Sequence, residues 1–454
     1  MGKAILFVAV GLVLLGGAGW ILFPNVRTDL LQKIPFFGGG DDKPVTLTYW
    51  GLWEPREAIQ PLLDEYQQQN PNITIQYEMR DPRTHWETVK ARLGSEGSPD
   101  IVRIHSTWAP LLLDKLLALP SDVMTVSEFE ETFYPVNQSF VKQVDKYYGM
   151  PLMVDGLALV YNRSLFAEEG IANPPKTWNE FRDMAARLTK KNSAGALTQA
   201  GAALGFANNV DYFADIIGLM FAQNGVRFTD ADGKVSFHQT TSPIGSNLAL
   251  EALNFYLLFA TSEQSWDGTW GNSTNEFSQG RVAMVLLPSH RLHEVLSARP
   301  AFEVGVTTAP QLPVVGGQAE AVNWANYWVE GVSKVSPNGK AAWKFLRWLA
   351  EKDQQAKFYR LAGQLRSFGE PYSRQDLAGS LSADPYTLPY VQQGSSYTTW
   401  FFTSGTLNAE VNDRINGALE AGIESLIRDR NADATKVLEN LAQQTQQILD
   451  TALK

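Results

Sequence analysis

Between Val45 and Ile104 the chain switches its apolar period from strand to helix and back twice, and this constrains the fold more than any other feature. Val45 to Trp50 alternates at every second residue and is rich in β-branched and aromatic side chains, which predicts a strand. Ile59, Leu62, Leu63 and Tyr66 then recur at i, i+3, i+4 and i+7, the stripe of an amphipathic helix. Ile73, Ile75 and Tyr77 alternate again; Trp86, Val89 and Leu93 mark a short helix; Ile101 to Ile104 predicts a third strand. A β-α-β-α-β order implies a mainly parallel sheet with helices on both faces, because parallel neighbours need a crossover element between them.

The 454 residues are enough for two or three domains. The balance of 48 acidic against 38 basic side chains, with no dense Lys/Arg cluster, argues against a nucleic-acid partner, which needs a basic footprint on its phosphates. With no cysteine, the chain has no disulfide, thiolate metal site, cysteine nucleophile or lipid-modified N-terminal cysteine.

Ala4 to Phe23 is a nearly unbroken apolar run preceded by Lys3, and as a helix it would rise about 30 Å, the thickness of a bilayer core. Two readings compete: a secretory signal cleaved near Gly17-Ala18-Gly19, or an uncleaved transmembrane anchor at residues 1–23. The length of the run favours the anchor, and either reading sends the rest of the chain across a membrane. Residues 24–44, with Gly38-Gly39-Gly40-Asp41-Asp42, read as a flexible tether.

Further along, Ser127-x-x-Glu130 and Thr177-x-x-Glu180 have the form of capping boxes. Leu157–Tyr161, Arg281–Leu287 and Phe302–Thr307 are strand-like, and Asp230–Lys234 is a hairpin turn. Ala341–Tyr359 predicts one helix, and Leu438, Leu441, Thr445, Ile448 and Ala452 the packed stripe of a last one. No Gly-x-Ser-x-Gly elbow, His-Glu-x-x-His or phosphate-binding loop is present, so an enzyme is not expected. His290-x-x-His293-Glu294 reads as a polar helix face, and no metal or cofactor is expected.

Several local motifs occur in a telling order. Gly97-Ser98-Pro99-Asp100-Ile101-Val102 is followed by Tyr148-Gly149-Met150-Pro151-Leu152, by Leu159-Val160-Tyr161-Asn162 and by Pro174-Pro175-Lys176-Thr177-Trp178-Asn179-Glu180. Phe277-Ser278-Gln279-Gly280-Arg281-Val282-Ala283-Met284 and the Lys340–Leu346 helix come later. In this order they resemble the family 1 extracellular solute-binding proteins, the maltose-binding-protein-like components of ABC importers, from about Val45 to the C-terminus. The resemblance implies two discontinuous α/β lobes of the type II periplasmic-binding-protein class, joined by hinge strands near Met150–Leu152, Ala283–Leu287 and Tyr327–Val332. One lobe is then expected from 45–150 and 285–328, the other from 151–284 and 329–454. It further implies an extracytoplasmic monomer that captures a small solute between its lobes and passes it to permease subunits. A membrane-anchored sensing module is the alternative role.

A sugar presents many hydroxyls and two apolar ring faces, so a sugar site combines paired polar groups with flat aromatic platforms. The 13 tryptophans matter because several fall in loops beside polar residues instead of on helix stripes. Trp53, Glu54, Ser106 and Trp108 follow strand ends, where open α/β sheets bind ligands, and Arg291 follows the Val282–Leu287 run. Trp270, Asn323 with Trp324, and Trp400 are further loop positions of this kind; the family likeness adds Asp155, Tyr212 and Arg366 as candidates and implies a stacking place for Trp400. Against this stands the other use of a loop tryptophan, as a lid on the core. The aromatic-rich loops favour a mono- or oligosaccharide, with glycerol phosphate and polyamines as the other solute classes.

Overall fold

The computed structural model describes residues 43–313 and 320–453. The expected membrane run and all but the last two residues of the expected tether lie outside them. Among the described residues no helix is long and apolar enough to cross a membrane.

The N-terminal alternation folds as read: strand β1 (Val45–Gly51), helix α1 (Arg56–Gln69), β2 (Ile73–Met79), α2 (Pro82–Arg92) and β3 (Ile101–His105). Ile59, Leu62, Leu63 and Tyr66 of α1 are all buried, as their spacing requires. Asp81 caps α2 by accepting from the Arg83 amide, and Pro82 fills its first turn, where a missing N–H costs nothing. The middle of the chain supplies β4 (Ala158–Asn162), α3 (Trp178–Leu188), α4 (Phe213–Gln223), β5 (Met284–Leu287), α5 (Ser289–Ser297) and β6 (Val304–Thr308). Then come β7 (Trp328–Val332), α6 (Gly339–Leu349) and α7 (Lys352–Gly363), and the chain closes on α8 (Glu410–Arg428) packed against α9 (Ala434–Ala452).

Two sheets result. The first has the order β7-β3-β1-β2, with β1 parallel to β3 and β7 antiparallel to β3, Glu330 opposite Arg103. The second has the order β6-β4-β5 and is antiparallel throughout, so the mainly parallel expectation holds only for the first. The pairings also depart from the expected lobe ranges. Residues 284–287 and 304–308 lie beside 158–162 in the second sheet, whereas 328–332 and helix α6 pack on the first. Met284–Leu287 is thus the edge strand of the second sheet, paired with β4. Residues 150–156 and 325–330 run antiparallel between the sheets, bridged at Met150–Glu330 and Gly156–Ala325.

Local signals were correct to within a few residues, with two instructive departures. Thr177 and Glu180 form the reciprocal capping box, but the helix at 126–132 is capped by Thr125, whose hydroxyl accepts from the Glu128 amide; Ser127 sits inside it, bonded to Glu131. The single helix expected over Ala341–Tyr359 breaks into α6 and α7, because Glu351 adopts extended backbone and starts a new helix. The turn at Asp230–Lys234 closes a hairpin between Thr229 and Val235, with Gly233 at φ 76°. The core of the second sheet is continuous with α4, α8 and α9, and the C-terminal stripe Leu438, Leu441 and Ile448 is part of it.

Candidate functional site

A cluster of buried charge lies at the first sheet and the loops beside it. Arg103 sits mid-strand in β3 and is 1 % exposed. Its guanidinium donates to Glu330 Oε1 (Nε, 2.7 Å) and to the Leu52 carbonyl (3.1 Å), and forms a close contact with Glu54. Burial pushes the Glu54 carboxyl up to about 7 despite the opposing pull of Arg103, and raises Glu330 as well. Glu54 Oε2 is engaged by Arg103, while its Oε1 is buried with no hydrogen-bond partner. Arg366 and Glu370 lie within electrostatic reach of Glu54. Arg366 Nη2 stands 2.7 Å from Glu370 Oε1, and Arg366 Nε is buried and unpaired. Burial would raise Glu370, but Arg366 and then His293 hold it below the ordinary carboxylate range.

The opposite wall comes from the start of α5. Asp155 Oδ1 accepts from the amides of Gly156 (2.8 Å) and Ser289 (2.9 Å), and its Oδ2 lies 3.1 Å from His290 Nδ1. The other ring nitrogen of His290 meets the hydroxyl of Tyr212, and Arg291 reaches Asp211 at 2.6 Å and also Glu294. His293, one turn on, stacks its ring on Phe368 with centroids 3.7 Å apart; burial pushes its imidazole down to about 4, so it is neutral at pH 7. Both of its ring nitrogens lack a partner.

Two aromatics at the edges of this region have left-handed backbone: Trp53 at φ 61° and Tyr212 at φ 59°. For bulky residues that conformation costs on the order of 1–3 kcal/mol and persists only where the surroundings impose it. Trp53 is 39 % exposed, the most exposed tryptophan among the large apolar residues at the surface, and rests edge-on against Trp328 at 4.8 Å.

The expected site residues thus separate. Trp53, Glu54, Asp155, Tyr212, Arg291 and Arg366 gather around the charged region. Trp270 is half-buried beside it, edge-on to Trp266 and with the Arg281 guanidinium 5.5 Å from its ring. Ser106, Trp108, Asn323, Trp324 and Trp400 are placed in the interior. Trp108 is fully buried between Trp86 and Trp328. Trp324 lies under α4 so closely that a Cβ on Gly218 would stand 2.4 Å from its ring. Trp400 is 8 % exposed and stacks on Phe228 at 5.0 Å. Asn323 bonds Ser396 and Gln311, and the Ser106 amide bonds the Tyr327 carbonyl. All five are packed among other side chains. Arg103, Glu330 and Glu370 were not singled out from the sequence, and His293 only as part of a polar helix face. The available signal was a charged residue inside an apolar strand, Arg103 in Ile-Val-Arg-Ile and Glu330 in Trp-Val-Glu-Gly-Val.

Such a two-sheet α/β frame with polar groups converging between the sheets is that of a solute-binding protein. The family model for the bacterial extracellular solute-binding proteins matches residues 52–356, and the chain belongs to that family. It is accordingly the extracytoplasmic solute-binding component of ABC transport. The chain is similar to a protein of Brucella abortus (strain 2308) described as a binding protein, at 25 % identity over 66 % of this chain and 70 % of the relative. It is also similar to the sn-glycerol-3-phosphate-binding periplasmic protein of Escherichia coli (strain K12), at 24 % identity over 72 % and 75 %. The crystal structure of the cyclic α-maltosyl-1,6-maltose binding protein from Arthrobacter globiformis shares the fold, with TM-score 0.72 and 21 % identity over 90 % of this chain and all of that one.

Proposed function

We propose that this protein binds a carbohydrate between its two sheets and delivers it to an ABC permease, held at the membrane by residues 4–23. The observation that carries the sugar reading is the set of unpaired buried polar atoms, Glu54 Oε1, Arg366 Nε and the ring nitrogens of His293, near a half-exposed Trp53. Each buried group without a partner costs about 1–3 kcal/mol. Sugar hydroxyls, which both donate and accept, would recover that energy, and an exposed indole offers a platform for a pyranose face.

The strand pairings support a division into two lobes. One comprises residues 43–152 with 328 to about 380; the other comprises 156–325 with the remainder to the C-terminus. Residues 150–156 and 325–330 are the crossing strands, and closure about them brings Trp53 and Glu54 toward Tyr212 and Arg291. A solute that contacts both walls favours the closed state through that differential affinity.

The test is calorimetric titration of the full chain in a non-glycosidic detergent with a panel of mono- and oligosaccharides. One sugar class is expected to bind, and Trp53→Ala to weaken it by ~1–3 kcal/mol, roughly 5- to 150-fold, with an unchanged melting temperature. Binding of no sugar, or undiminished binding by the variant, refutes respectively the ligand class and the platform.

A further inference from the structure

The relatives include both sugar and glycerol phosphate binders, and the charge layout between the sheets separates these chemistries. We propose that the site excludes anions, so that its solute is an uncharged saccharide and not a phosphorylated or carboxylated one. This rests on the carbohydrate reading above and deepens it.

Proteins capture phosphate chiefly with an arginine fork that has charge to spare and with the free amides of a helix N-terminus. Both are present here, and in both the positive charge is balanced from within. Arg103 is shared by Glu54 and Glu330. Arg366 is neutralised by Glu370, and Arg291 by Asp211 together with Glu294. The N-terminus of α5 is occupied by Asp155, which accepts from the amides of Ser289 at 2.9 Å and His290 at 3.4 Å. Pro288, the residue before that helix, brings no side-chain cap of its own, so the carboxylate does the capping.

An incoming phosphate would therefore have to displace a carboxylate from its partner and leave it buried and unpaired beside a second negative charge. That is the costly way to break a buried ion pair. A hydroxyl needs no such exchange: it uses the lone pairs and N–H groups that the ion pairs leave over, such as Glu54 Oε1 and Arg366 Nε. The internal carboxylates thus act as the repulsive element of specificity, set against one ligand class while the leftover polar atoms serve the other.

The experiment titrates the full chain with maltotriose, glycerol 3-phosphate and inorganic phosphate, and repeats the two anions with Glu370→Gln and Asp155→Asn. For the unaltered chain, millimolar anion is expected to give no binding heat. Glu370→Gln, which frees Arg366, and Asp155→Asn, which removes charge from the α5 N-terminus, are each expected to gain phosphate affinity at least tenfold. Sub-millimolar binding of either anion by the unaltered chain overturns the proposal and leaves solute binding standing. Two folded variants that gain no phosphate affinity also overturn it. Gain of phosphate by a variant while maltotriose and other neutral sugars stay silent sinks the carbohydrate reading and leaves anion exclusion intact.

Discussion

Replacing Arg103 with methionine tests the central ion triad most directly. Arg103 is 1 % exposed, and its head serves two carboxylates and one carbonyl, so its loss strands Glu54 and Glu330 in the interior together. Removing one partner of a buried pair costs ~3–5 kcal/mol, and here one cation neutralises two acids, which puts the expected loss near the top of that range at pH 8. The cost must depend on pH. Both carboxyls already have folded-state values raised above the ordinary 4.5, Glu54 to about 7, and the variant raises them further. A group raised on folding holds its proton better in the native state, so the stability linked to it is present at low pH and lost as pH rises through the folded value. Arg103→Met is therefore expected to be far less damaging at pH 5 than at pH 8. Urea unfolding at both pH values reads the difference as a shift of midpoint at constant slope. Changing Glu54 and Glu330 to glutamine in the same chain removes the stranded charge and is expected to recover most of the loss. A variant that loses under about 1 kcal/mol at pH 8, or loses the same at both pH values, refutes the triad as described.

Three further outcomes are expected. Trp400→Ala opens a cavity beside Phe228 in the second core and is expected to cost ~3–5 kcal/mol in denaturant unfolding while leaving solute affinity nearly unchanged, the reverse of Trp53→Ala. Val144, a β-branched residue at φ 54° and 89 % exposed on a hairpin tip, is strained, and Val144→Gly is expected to raise stability by about 1 kcal/mol, read as a higher unfolding midpoint. Asp215, buried under Asn326 and the Ser404 amide, is pushed by burial up to about 7, so between its ordinary value and pH 7 it contributes stability that fades as pH rises; Asp215→Asn is expected to flatten that part of the stability–pH profile.

Where short-range physics decides the outcome, the sequence was readable. The β1–β3 alternation, the α1 stripe and the Thr177 box are local, and each formed within a few residues of its expected place. The return of 328–332 to the first sheet and of 304–308 to the second depends on pairings between distant segments, which periodicity cannot express. The site divided in the same way. Glu54 and Arg366 could be picked out as polar residues near strand and helix ends, but their meaning comes from Arg103 and Glu370, partners that only the fold supplies. Loop tryptophans do not reveal their own exposure, because Trp108 and Trp400 are buried while Trp53, also in a loop, is exposed.

Strand β3 waits a long time for its neighbour. Arg103 and Glu330 are 227 residues apart, and at roughly 5–20 residues per second a ribosome needs on the order of 10–45 s to make that span. Throughout that interval the apolar Ile101–Ile104 edge has no partner on one side, the condition in which a nascent sheet recruits another chain. The arginine in its middle, which lacks its Glu330 partner until β7 emerges, is then a guard against association.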